Sequence, residues 1–204
     1  MIRFALVLFY SSLFSGSLVG WAQVRTKNLE VVDEKTTLSN AELASFKMLA
    51  SQKVNELENY ISTVGDKEQN ETLRDLAIKN AEKLFIDTAT IEVSRVVNGK
   101  VVRVTRLPVR QYFFRLKALP YKKVNITYYD VAYIRDYQKS ANGNYVAQAT
   151  IFQQFEGLDA KGRLRYKDKQ AKNVTVLLTD LMDEFYANHR WTLRLGDIRL
   201  AETK

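Results

Sequence analysis

Cysteine is missing from all 204 residues, and with it go disulfides, thiolate metal sites and thiol nucleophiles. A chain of this length does not need cross-links, because roughly 180 residues enclose a core large enough to stabilise itself. Histidine occurs once, as His189 in the polar stretch YANHRW, and no second ligand stands at metal-site spacing, so neither a metal nor another cofactor is expected. The patterns G-x-S-x-G and G-x-x-x-x-G-K are absent, which leaves serine-hydrolase and phosphate-loop mechanisms without residues to carry them. Proline is scarce, with only Pro108 and Pro120 to punctuate the chain. Acidic residues are missing from one long segment: VSRVVNGKVVRVTRLPVRQYFFRLKALPYKKVNITYY, residues 93–129, holds nine Lys or Arg and no Asp or Glu.

What is present is the composition of a folding chain. Apolar residues make up 46% and aromatic residues 11%, enough to build the core of one domain or at most two. The formal net charge is +8, and the acid-free segment alone carries more than that, so the basic character is local. Such an excess either docks an anionic partner or forms a solvated face that balances acids elsewhere in the fold, such as Glu56, Glu58, Asp75, Glu82 or Asp87.

The first 22 residues, MIRFALVLFYSSLFSGSLVGWA, combine Arg3, an apolar run over 4–13, and the small residues Gly20 and Ala22 just before Gln23. That is the layout of a secretory signal peptide cleaved near Ala22, and it places the protein in the periplasm or at the cell surface. Ser11, Ser12, Ser15 and Ser17 dilute the apolarity, which favours cleavage over retention as a membrane anchor. Residues 23–38 are polar and aperiodic, and read as an extended leader to a single domain over 39–204.

That domain opens with SNAE at 39–42, a capping box, followed by Leu43, Phe46, Ala50, Val54, Leu57, Ile61 and Val64 at helical spacing and Gly65 at the end. A second helix is expected from about Asp66, with Leu73, Leu76, Ala77, Ala81, Leu84 and Phe85 as its apolar positions. Ile91 and Val93 alternate with polar neighbours up to the NG pair at 98–99, a hairpin signal, and Val101, Val102 and Val104 return. Pro108 and Pro120 bracket a short third helix whose apolar face is Val109, Tyr112, Phe113, Leu116 and Leu119. Strands are expected over 124–137, 145–155, 164–178 and 191–200, with turns at 142–144 and 158–162 and a loop or helical turn over 180–190.

No helix alternates with the late strands, which excludes a doubly wound parallel sheet. The expected class is α+β, with two or three N-terminal helices covering a curved antiparallel sheet. This order of elements resembles the nuclear transport factor 2-like superfamily, the cone-shaped fold shared by ketosteroid isomerases and polyketide cyclases, over roughly residues 39–200. Trp191 opening the last strand and Gln23 following an Ala are similar to features of small exported bacterial members. The resemblance implies an interior where an Asp, His or Tyr moves a proton beside a carbonyl. It also implies dimerisation through the open sheet face, for which YVAQATIFQQF offers an outer row.

Two functions follow. In the first, Arg95 and Arg103 on the two hairpin arms, Arg106, Arg110 and Lys117 at helical spacings of four and seven, and Lys122 and Lys123 beyond them form one docking surface. The protein is then an exported, non-enzymatic binding or assembly module for an anionic protein or envelope polymer. Nucleic acid is not expected, because no binding motif accompanies the charge. In the second, the interior takes a small ligand or runs isomerase-like or cyclase-like chemistry, with Asp130 as base and Tyr128 or Tyr112 as hydrogen-bond donor. One strand phase places Tyr128 and Asp130 with Val124, Ile126, Ala132 and Ile134. The other buries Tyr129, Val131 and Tyr133 and exposes Asp130, and an ion pair of Asp130 with Arg106 or Arg110 is a third outcome. Filling of the interior by Phe113, Phe114, Phe152 and Phe155 separates the two functions: a filled cone has no room for a ligand.

Overall fold

Residues 37–97, 100–183 and 188–201 are described by the structure, a computed structural model, with backbone alone at 96–97, 100, 129–134, 182–183 and 188–189. The expected signal peptide, its cleavage point, most of the leader and the NG turn therefore lie outside the described residues. At its end the leader rests on the core: Leu38 is buried, and its N–H donates to the Tyr145 hydroxyl at 3.2 Å.

Helix α1 (Asn40–Gly65) begins where the capping box sets it. Glu42 N–H donates to Ser39 Oγ at 3.3 Å, and Ser39 N–H donates to Glu42 Oε2 at 2.8 Å. Ala50, Val54, Leu57, Ile61 and Val64 are buried along its stripe, and removing each of the larger ones from water contributes about 1.5–3 kcal/mol.

Helix α2 (Glu71–Lys83) starts later than expected, because Asn70 rather than the acidic run from Asp66 caps it. Asn70 Oδ1 accepts from Thr72 N–H at 2.8 Å. Its buried face is also rotated: Arg74, Ala77, Ile78 and Ala81 are inside, while Leu73 and Leu76 are exposed. Arg74 takes an interior position because its guanidinium satisfies carbonyls at two helix ends, donating to Val64 O at 2.9 Å and to Lys117 O at 3.0 Å. Helix α3 (Val109–Lys117), with Pro108 at its N-cap, buries Val109, Tyr112, Phe113 and Leu116 as its spacing requires.

Among the described residues, seven strands complete the α+β fold: β1 (Thr90–Val97), β2 (Lys100–Pro108), β3 (Lys123–Ile134), β4 (Gln138–Lys139), β5 (Tyr145–Leu158), β6 (Leu164–Asp183) and β7 (Asn188–Leu200). They form one sheet in the order β2-β1-β7-β6-β5-β3, with β4 paired to β5. The sheet is mixed rather than wholly antiparallel, because β1 meets β7 in parallel at Ile91 and Ile198. Side-chain carboxylates reinforce that short junction. Asp197 Oδ1 accepts from Thr90 N–H at 3.0 Å, and Glu92 Oε2 accepts from Leu200 N–H at 3.0 Å.

The expected loop over 180–190 is largely hairpin, with Asp180 opposite Trp191 and Leu181 opposite Arg190. Gly143 and Gly162 take positive φ at the other two turns, a conformation that favours glycine. The helices cover one face of the sheet, where Ala147, Ala149 and Ile151 of β5, Val174, Val176 and Leu178 of β6, and Leu193, Leu195 and Ile198 of β7 are buried. No helix among the described residues is long and apolar enough to cross a membrane.

Candidate functional site: a polar end of the covered face

Strand β6 changes character along its inner row. Leu178, Val176 and Val174 are buried and apolar, and the same two-residue step then reaches Lys172, Gln170, Asp168 and Tyr166. On β5 the matching row runs from Ala149 and Ile151 to Gln153, opposite Gln170, and Phe155, opposite Asp168. The sheet thus trades its apolar core for a polar floor at one end.

Here α3 and the segment after it stand off the sheet and leave a cleft of about 190 Å³. Tyr112, Arg115 and Leu116 of α3 line one side, with Leu119 and Tyr121; Val93 and Ser94 of β1 line another; the floor is the polar row of β5 and β6. Tyr121, Phe155 and Tyr166 form an aromatic cluster at one end, with Tyr121 stacked on Tyr166 at 6.4 Å and Phe155 edge-on to Tyr166 at 5.7 Å.

Asp168 is the acid of this floor. Its Oδ2 accepts from Tyr166 Oη at 2.9 Å and from Gln170 Nε2 at 2.8 Å. Gln170 spends its second N–H on Ser94 Oγ, which ties β6 to β1 across the cleft. Asp168 Oδ1 is buried and has no hydrogen-bond partner among the described residues. Burial raises the Asp168 carboxyl above its ordinary range, partly offset by the bond from Tyr166, the charge of Lys172 and the bond from Gln170.

Lys172 is the base. It is only 4% exposed, and its Nζ donates to the backbone carbonyl of Glu92 at 3.2 Å. Burial pushes its ammonium down to about 8, against the pull of Asp168 and Glu92. No ion pair joins Lys172 to an acid among the described contacts, so Asp168 and Glu92 act on it through space. A carboxyl raised by burial and an amine lowered to about 8 thus share one cleft floor.

Of the interior residues expected to matter, Tyr112 lines this cleft, and burial, followed by the charge of Asp168, holds its hydroxyl protonated. Tyr128 stands opposite Gln153 in the ladder and near enough to Tyr112 to feel it. Burial above all, then Tyr112 and Glu58, raises its hydroxyl well above the usual range, so both tyrosines are suited to donate hydrogen bonds. A register shift between Tyr128 and Asp130 interrupts the ladder there, and the Asp130 backbone pairs with Phe152. The Asp130 and His189 side chains lie outside the described residues.

Nor do the four phenylalanines fill the interior. Phe113 is in the core, Phe114 is 48% exposed, Phe155 lines the cleft, and Phe152 belongs to the opposite row of β5.

Of the seven residues of the expected basic surface, four meet acids of the same chain. Arg106, which lies on β2 rather than on the third helix, pairs with Glu92 at 2.9 Å. Arg110 approaches Glu82 at 3.6 Å, Lys117 joins Glu71 at 3.1 Å and also Asp75, and Lys123 reaches Asp66 at 3.5 Å. Lys122 donates its backbone N–H to Leu158 O at 2.8 Å. Arg95 and Arg103 face each other across the hairpin, both exposed.

No protein-family model matches this chain, and no curated protein does. Among solved structures the chain is similar to Aln2 from a Streptomyces species, at 9% identity over 81% of this chain and 93% of that one, with a TM-score of 0.37. A likeness of that size leaves the site to be argued from its own geometry.

Proposed function

We propose that this protein binds a small, largely apolar organic molecule carrying a hydrogen-bond donor, in the cleft between α3 and the polar end of β5 and β6. Asp168 Oδ1 carries the reading: a buried carboxylate oxygen without a partner among the described residues, belonging to a residue on the floor of an aromatic-lined cleft. Leaving such an atom unpaired costs about 1–3 kcal/mol, which a ligand donor recovers. The cleft volume of about 190 Å³ suits a single-ring molecule, below the roughly 300–1,000 Å³ of drug-sized pockets. The resemblance in element order to cone-shaped proteins whose enzymes keep an acid or base in the interior supports the same location.

The charge anomaly that favoured an anionic partner has another explanation, since Arg106, Arg110, Lys117 and Lys123 all meet acids of the same chain. Phenol, 4-hydroxybenzyl alcohol and indole, titrated into labelled protein and followed by amide shifts, test the cleft. At least one should move the amides of residues 166–172, and Ser94→Trp, which fills the cleft, should abolish the response. Shifts spread over the surface, or retained in Ser94→Trp, would overturn the assignment.

A further inference from the structure

Resting on the cleft as a ligand site, we propose that Lys172 captures the carbonyl carbon of a small aromatic aldehyde or ketone as an imine, with a donor at the ligand's other end held by Asp168. Lys172 stands where the inner row of β6 turns from apolar to polar, opposite Ile151 and one inner position from Val174. It lines the cleft, and its only described hydrogen bond is to the carbonyl of Glu92. An ammonium has three N–H groups, so this amine is neither saturated with acceptors nor locked in an ion pair. Burial has already brought it to about 8, which leaves a usable share of neutral amine near neutral pH.

The rest of the cleft fits the same class of ligand. Tyr112, Phe155 and Tyr166 offer ring faces and edges to an aromatic group. Asp168 Oδ1, two inner positions along β6 from Lys172, is a buried acceptor without a partner among the described residues. A ring with a carbonyl at one end and a hydroxyl at the other addresses both residues.

The step balances without any co-reactant. The neutral amine's lone pair forms the C–N bond and the carbonyl oxygen takes up a proton to give a carbinolamine. The C–O bond then breaks, and the oxygen leaves as water with the two hydrogens that the amine gives up. The product is an uncharged imine, which the apolar walls shield from hydrolysis.

The test uses the whole folded protein with 4-hydroxybenzaldehyde and sodium cyanoborohydride, which reduces an imine to a stable secondary amine, followed by peptide mapping. Lys172 should be labelled about tenfold faster than exposed lysines such as Lys161 and Lys169. 4-Hydroxybenzyl alcohol, which lacks the carbonyl, should protect Lys172 and leave the exposed lysines unprotected, a comparison that needs no variant. Lys172→Arg should lose the fast adduct. If the alcohol binds in the cleft while Lys172 is labelled no faster than the surface, the imine is overturned and the ligand site stands. If neither compound perturbs the cleft and labelling is uniform, both fail.

Discussion

Lys172 burdens the fold even as it equips the cleft. Its folded pKa of about 8 lies below the ordinary 10.5, so between these values the unfolded chain holds a proton that the folded chain has released. Unfolding then takes up a proton, and this residue's contribution to stability improves as pH climbs from about 8 to about 10.5, with the full penalty applying below pH 8. The gap corresponds to a penalty on the order of 3 kcal/mol. Lys172→Met keeps the packing and removes the charge, so the variant should be the more stable protein at pH 7, by up to that amount. Part of the gain is returned, because the lost ammonium also holds the Asp168 carboxyl down. Urea unfolding of both proteins at pH 7, 9 and 10.5 checks this. Their difference should shrink as pH rises, and a difference that stays constant would mean that the amine is solvated.

At the scale of elements, the sequence was legible wherever one signal acted alone. The capping box placed the start of α1, Pro108 and the apolar spacing placed α3 and its buried face, and tight turns separated the long strands. It was less legible where an apolar pattern competed with a polar partner. Counting apolar residues put Leu73 and Leu76 on the inner side of α2, but Arg74 is inside because only a long, multiply donating side chain satisfies carbonyls of α1 and α3 together. The cleft floor was hidden for a related reason: Lys167, Lys169 and Asp168 look alike in sequence, and only stepping by two from Val174 assigns Asp168 and Lys172 to the inside. Arg74→Met should therefore destabilise the protein by about 3 kcal/mol, because it leaves two carbonyls without donors. Leu76→Lys, although it removes a large apolar residue, should change stability by about 0.5 kcal/mol or less. Comparing the two urea midpoints checks the assignment, and a larger loss for Leu76→Lys would reverse it.

On the scale of the whole molecule, the β1–β2 hairpin joins the rest of the sheet through a short junction. Strands β3, β5, β6 and β7 share long antiparallel ladders, whereas β1 reaches β7 through a single described parallel pair, at Ile91 and Ile198, and through the carboxylates of Asp197 and Glu92. Burial pulls the Glu92 pKa up, but bonds from Arg106 and Leu200 N–H outweigh it. In Asp197 the bonds from Arg199 and Thr90 likewise outweigh burial, so both carboxyls end below their ordinary values. Their contribution is thus complete above the ordinary 4.5 and 3.8 and is lost as pH falls through the lower folded values.

This attachment bears on the cleft, since Val93 and Ser94 are one of its walls and the Glu92 carbonyl holds Lys172. Asp197→Ala removes the acceptor for both Thr90 N–H and Thr90 Oγ, at 3.0 and 2.9 Å. Amides over 90–97 and 100–107 should then exchange with solvent about tenfold faster, the equivalent of about 1.4 kcal/mol of local opening, while those of Ala147, Ile151, Val174 and Val176 keep their protection. A ligand in the cleft should slow exchange over 90–97 and 100–107 in the wild type, because it bridges the wall to the floor. If Asp197→Ala instead accelerates every strand alike, the sheet opens as one unit and the hairpin is no weaker than the rest.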